Sequence, residues 1–232
     1  MKTVAIAIMI GSACMAAVAA ERPVSNAAYL QLVFTQTASD CKAAQVTWSR
    51  THSSAHKSMI TGCFANATPP SNRRRLPPYF FQVISTATPL SQPSGVSMTL
   101  TYRALGPVQL ADGNAGANPK PPGDGPIRFY QMMVFSGPTA GQDSVYNDWY
   151  DHQHVPDVMR NAGFISGQRF LLTTEDSGKE LNLPPYLVLF TLKSGDLKAT
   201  GDEIGARIHD GRTRMSPAFD GQGGTAMFAT PL

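Results

Sequence analysis

The chain has 232 residues, and 19 Lys and Arg against 16 Asp and Glu give it a formal net charge of +3, one of those cations being Lys2 at the extreme N-terminus. So small a basic excess does not make a nucleic-acid surface, which needs a concentrated basic face. Only 15% of residues are charged, and no stretch approaches the ~20 apolar residues of a membrane-spanning helix. A sizeable core, in one large domain or two small ones, is therefore expected.

Residues 1–20 hold one Lys, an apolar run from Val4 to Ile10, and Val18-Ala19-Ala20 before Glu21. This is signal-peptide architecture, and it predicts a periplasmic or secreted protein without a membrane span. Cleavage at Cys14 as a lipoprotein is the alternative, against which Gly11 stands. A strand over 28–35 leads through a polar turn to a helix over about 41–61, and strand patterns resume beyond Gly62. Arg73-Arg74-Arg75 reads as a solvated loop. Pro69 and Pro70 interrupt the second strand, a short helix falls near 91–95, and 97–105 supplies a last strand. An oxidising compartment invites pairing of Cys41 with Cys63. A helix between them would hold them roughly 30 Å apart at ~1.5 Å per residue, beyond disulfide reach. Two free, buried thiols are the expectation.

Residues 111–126, rich in Gly, Pro and Asn, read as a linker. Beyond it come a strand over 127–136, a helix over about 143–162, strands over 164–174 and 186–192, a helix over 197–207 and a strand over 225–230. Shifting the chain by 101 places Tyr29 on Tyr130, Val33 on Val134, Phe34 on Phe135, Trp48 on Trp149 and Gly62 on Gly163. Leu76-Pro77-Pro78-Tyr79 matches Leu183-Pro184-Pro185-Tyr186 at a shift of 107. The expectation is a duplicated βαββαβ, ferredoxin-like unit, degenerate over 21–110 and complete over 127–232. Each four-stranded sheet leaves one apolar face bare, so the units should pack sheet to sheet as an α/β barrel of the α+β class. Pairing within the chain would let the protein be monomeric.

Chemistry concentrates between Asn147 and Phe170, NDWYDHQHVPDVMRNAGFISGQRF. His154 titrates near neutral pH and is the candidate general acid/base. Asp151 and Asp157, three residues to either side, could fix its tautomer. Pro156 removes a backbone donor and disturbs the carbonyl of His152, and a kink there could aim His154 inward. Tyr150 is a candidate pocket residue, whereas Trp149 reads as core. Arg169 and Tyr186 lie on or beside strands that could face the same pocket, the guanidinium suiting a carboxylate or phenolate. The competing reading makes Asp151, His152, Gln153, His154 and Asp157 an ordinary solvated helix face.

Asn147-Asp148-Trp149-Tyr150-Asp151, His154-Val155-Pro156-Asp157-Val158, Gly163-Phe164 and Gln168-Arg169-Phe170 resemble the core motif of EthD-type proteins in the dimeric α/β-barrel superfamily. The resemblance implies a ligand between sheet and helices, with the motif histidine at His154. It also implies cofactor-free decarboxylases, cyclases, isomerases or monooxygenases of aromatic or polyketide-like compounds, or else haem enzymes. At the shift of 101, Ser53 replaces His154, Arg50 replaces Asp151, Ala55 replaces Pro156 and His56 replaces Asp157. One site per chain, in the second unit, is expected.

Three functions follow. The first is a cofactor-independent lyase, cyclase or isomerase acting on a small apolar compound. The second is a binding protein for such a compound, and the third a haem enzyme. A metal site is not expected, because metal-binding pairs on a helix want spacings of three or four. Neither a phosphate-cradling Gly-rich loop nor a nucleophile elbow is present in its standard form.

Overall fold

A computed structural model describes residues 26–51, 59–68, 76–85, 98–111, 123–176 and 183–232. The leader, Arg73-Arg74-Arg75, the short helix near 91–95, most of the linker, and Ser53, Ala55 and His56 lie outside the described residues. Nine strands are described: β1 (Tyr29–Thr35), β2 (Met59–Asn66), β3 (Tyr79–Ser85), β4 (Thr99–Ala104), β5 (Gln109–Leu110), β6 (Arg128–Ser136), β7 (Phe164–Asp176), β8 (Tyr186–Ser194) and β9 (Thr225–Pro231). Helices α1 (Ala38–Thr51), α2 (Asp143–Trp149), α3 (Val155–Met159) and α4 (Leu197–His209) stand among them. No helix of the described residues is long and apolar enough to cross a membrane.

The strands run β4-β1-β3-β2-β9-β6-β8-β7 around the sheet, and β7 pairs back onto β4. All of these pairings are antiparallel, so the first eight-strand circuit is a closed barrel, with β5 pairing farther along β7. Alternation along each strand sorts residues to two faces. Leu30, Leu32 and Phe34 of β1 meet Met133 and Phe135 of β6 and Leu187 and Leu189 of β8 inside the barrel. Outside it, Val33, Phe81 and Val83 pack beneath α1 and its Trp48. Met132, Val188, Phe190 and Leu192 pack beneath α2 and α3. The expected α+β barrel is therefore observed, its halves facing each other across one core and joined edge to edge along two seams.

The two halves share a register. β1 meets β3 with Tyr29 opposite Ser85 and Phe34 opposite Phe80. β6 meets β8 with Tyr130 opposite Leu192 and Phe135 opposite Leu187, the same partners after shifts of 101 and 107. The glycine match does not survive. Gly62 lies inside β2 opposite Gln82, and the residue opposite Leu189 in β7 is Gln168. Gly163 instead follows the helix with φ +88°, the left-handed conformation that glycine adopts without strain.

The expected helix over 41–61 is also corrected. The described helix α1 spans Ala38–Thr51, and Met59–Asn66, into which the expected helix extended, is strand. The chain therefore reverses, and β2 brings Cys63 beneath the first turn of α1. Cys41 and Cys63 are joined in a disulfide with their Cα atoms 5.9 Å apart, overturning the expectation of free thiols. Both are buried beside Trp48. Closing a loop of this length is worth about 3 kcal/mol. Replacing both cysteines by Ala, or reducing the folded protein, is expected to lower Tm by roughly 6–12 °C. Scanning calorimetry with and without reductant measures this, and an unchanged Tm would deny the bond a stabilising role.

Candidate functional site

The segment between β6 and β7 packs on the outer wall of the second half. Asp143–Trp149 is α-helical, Tyr150–His154 forms a π-helical turn, and Val155–Met159 resumes the α-helix. Pro156 explains the change. It has no N–H for the His152 carbonyl, and in an α-helix its ring would collide with that carbonyl. The wider turn relieves the collision, and Val155 N–H donates to the Tyr150 carbonyl five residues back. Such turns recur at functional sites.

The consequence is a column of rings. Tyr146 and Tyr150 lie 5.1 Å apart, and Tyr150 and His154 lie 4.9 Å apart edge to face. Trp149 flanks Tyr150 at 5.0 Å and His154 at 4.5 Å. Tyr186 enters from β8 at 5.1 Å from Tyr146. Ser136 Oγ, at the end of β6, lies 2.7 Å from the Tyr146 hydroxyl and 3.4 Å from that of Tyr150. Burial raises the pKa of both phenols, with the Ser136 bond opposing it. Both are neutral hydroxyls at physiological pH.

Arg169 reaches this column from β7. Its side chain is only 3% exposed, and Nη1 meets Asp151 Oδ1 at 2.8 Å. Nη2 donates to Asn147 Oδ1 at 2.7 Å and Nη1 to the Asn147 carbonyl at 3.3 Å. The guanidinium carbon sits 4.7 Å from the Tyr150 ring centre and 5.7 Å from those of Tyr146 and Tyr186, within cation–π range. A buried charge survives only when so partnered. Asn147 Nδ2 in turn donates to the Tyr186 hydroxyl at 3.2 Å. Arg169, Asp151, Tyr150 and Tyr186, four of the six residues singled out from sequence, thus form one assembly. Tyr146, Asn147 and Ser136 complete it; Asn147 stands in the motif read from sequence without a role, and Tyr146 and Ser136 are not singled out there. Tyr146 stands one helical turn before Tyr150, a spacing that could have revealed it.

His154 is buried, and its Nδ1 has no hydrogen-bond partner among the described residues. Burial pulls its pKa down to about 4, against a hydrogen bond to the Arg214 backbone and the charge of Asp157, which raise it; Arg169 adds to the lowering. The imidazole is neutral at pH 7 and can accept a proton. Asp157, also buried, does not fix its tautomer through a carboxylate–imidazole bond. One Asp157 oxygen pairs with Arg160, and the other accepts from Arg214 N at 3.3 Å and Nε at 3.4 Å. Of the residues in the solvated-face reading, His152 is exposed and paired with Asp148 at 3.0 Å, Asp151 and Gln153 are half-buried, and His154 and Asp157 are buried. Among the described residues no group of three or more His, Cys, Asp and Glu could hold a metal ion.

The lowered pKa has a consequence for stability. An unfolded histidine binds its proton near pH 6.5 and the folded one only near 4, so stability falls as pH drops through that window. The loss attributable to His154 is on the order of 3 kcal/mol between pH 7 and 4. Urea unfolding of the wild type and His154→Gln across that range measures it. Equal pH slopes in the two proteins would contradict it.

No protein-family model and no curated protein matches the chain. Among solved structures it is similar to a monooxygenase-like protein of Fusobacterium nucleatum, with 10% identity, a TM-score of 0.47, and coverage of 88% of this chain and 92% of that one. It is also similar to an anthrone oxidase-like protein, with 11% identity, a TM-score of 0.49, and coverage of 90% and 92%.

Proposed function

We propose that the chain is an exported, EthD-like α/β-barrel protein built from tandem ferredoxin-like units, and that His154 is the general base of a cofactor-independent reaction on a small aromatic or polyketide-like compound. The observation that carries the reading is the buried, neutral imidazole whose Nδ1 has no partner among the described residues, set among aromatic rings. Such a nitrogen accepts a proton from an acidic C–H or O–H, as the first step of a lyase, cyclase or isomerase reaction. Arg169, whose guanidinium lies against the Tyr150 ring, supplies positive charge for the oxyanion that develops. Tyr150 and Tyr186 line the site, Asp151 orients Arg169, and the Asp157 charge supports protonation of His154.

Duplication is supported by strand orders of β4-β1-β3-β2 and β9-β6-β8-β7, which rank identically within their halves, and by the shared register. Export to the periplasm or beyond is supported by the buried disulfide, a bond that persists in oxidising compartments. The barrel that closes within one chain supports a monomer.

The internal partners already on Arg169 favour a second reading, a carrier or sensor that binds such a compound without turnover. One experiment separates the two. Small oxygenated aromatic and polyketide-like compounds are screened by thermal shift on the mature protein, since a specific ligand stabilises by mass action. Turnover and affinity for the hit are then compared in the wild type and His154→Gln. Catalysis predicts turnover reduced about 10²–10⁴-fold with affinity unchanged, whereas binding without product in both proteins establishes the carrier. A Soret band in the purified protein would replace both readings with a haem enzyme.

A further inference from the structure

The stretch between α4 and β9 lies over the imidazole and is fastened at several points. Thr213 N donates to the Arg207 carbonyl at the end of α4. At its far end, Thr139 N donates to the Ala218 carbonyl at 2.8 Å, Thr139 Oγ1 to the Pro217 carbonyl at 3.1 Å, and Asp220 N to the Gly137 carbonyl at 3.0 Å. Between these anchors the Arg214 carbonyl accepts from Trp149 Nε1 at 3.1 Å, and its backbone also bonds to His154. Phe219 lies 6.0 Å from Trp149, and Ala218 is buried in the same apolar cluster. The Asp157 carboxylate, on a side chain only 3% exposed, adds a further tie from this middle portion to the helix, although the Arg214 side chain is itself 65% exposed.

We propose that Asp157 is a positioning residue, which holds residues 213–219 over His154 and so keeps water from the imidazole. The inference rests on the reading of His154 as the working base, but its geometry stands apart from turnover. A carboxylate placed to act on the imidazole directly would aim an oxygen at it. Asp157 instead commits one oxygen to Arg160 and the other to Arg214. The groups that bear on His154 are Arg169 from β7, Asp157 from its own helix, the Arg214 backbone from the covering stretch, and the rings of Trp149 and Tyr150. The largest of these influences is burial. Removing the clamp therefore weakens the strongest effect on the ring, whereas losing the Asp157 charge weakens a smaller, opposite one.

The sign of the change tests the proposal. The His154 pKa is measured by NMR titration of imidazole-labelled protein, with acrylamide quenching of Trp149 fluorescence as the measure of access. In Asp157→Ala the pKa is expected to rise by about one unit or more toward its solvated value, with faster quenching. In Asp157→Asn, which keeps the shape and one acceptor, a smaller rise is expected. Arg160→Ala, which leaves the Arg214 contact in place, should shift neither readout. A fall or no change in the pKa of Asp157→Asn overturns the proposal, because a carboxylate acting through its charge would lower the pKa when neutralised. Should Asp157→Ala fail to fold, the sign in Asp157→Asn decides alone. These readouts need no substrate, so a His154→Gln variant that retains turnover would end the catalytic reading and leave the clamp intact.

Discussion

Closure of the barrel depends on two hydrogen-bonded seams, β2 against β9 and β4 against β7, and the position of every functional group follows from them. The first is short, joining Phe64 to Pro231, Ala65 to Thr230 and Asn66 to Ala229, and is lengthened by Leu232 N donating to the Cys63 carbonyl. The second runs from Thr99 opposite Asp176 to Ala104 opposite Phe170. Gln168 then ties β7 to the first half, its side chain bonding both backbone groups of Ala27 and the Gly106 carbonyl. A closed ring of eight strands has an interior about wide enough for its own side chains. The inward residues of both halves fill it. Polar chemistry is therefore displaced to the outer wall beneath the helices, where Arg169 points away from the core that its neighbour Phe170 enters.

On that wall the helix must present rings and charges to the sheet while carrying a proline. The π turn meets both demands. By absorbing the Pro156 defect at Tyr150–His154 it lets Tyr146, Tyr150 and His154 stack in succession and leaves Asp151 beside Arg169. Sequence patterning places Pro156 and anticipates a kink, but the register of a π turn depends on packing against Trp149 and the covering stretch. That explains why His154 and Asp157, each compatible with a solvated face on an ideal helix, are both buried.

Most of the fold was legible because periodicity and turn chemistry are local. The strands of the second half and the shared β1–β3 and β6–β8 registers follow from apolar alternation and the Leu-Pro-Pro-Tyr turns. The disulfide was not, because a helix carried through to Thr61 leaves no place for the strand Met59–Asn66 that brings Cys63 back to Cys41. At the site, Tyr150, Asp151, His154, Arg169 and Tyr186 could be named from residue type and spacing. Their partners could not. Ser136 is an ordinary strand-end serine until the Tyr146 hydroxyl lies against it, and Asp157 looks like a histidine's helper until Arg214 arrives from more than fifty residues away.

The site's electrostatics then follow from which groups find partners. Burial in a low dielectric penalises any charge, so the phenols of Tyr146 and Tyr150 and the imidazole of His154 all favour their neutral forms. Arg169 is the exception because its donors are met by Asp151 and Asn147 and its flat face by three tyrosine rings. A fixed cation beside a neutral base is an unequal arrangement. It favours a bound group that gains negative charge as it gives up a proton, and it opposes protonation of His154 in the absence of such a group. The same burial that keeps the imidazole neutral at rest would strengthen any charge interaction formed in a proton transfer there, so under the proposed reading the cover provided by residues 213–219 matters as much as His154 itself.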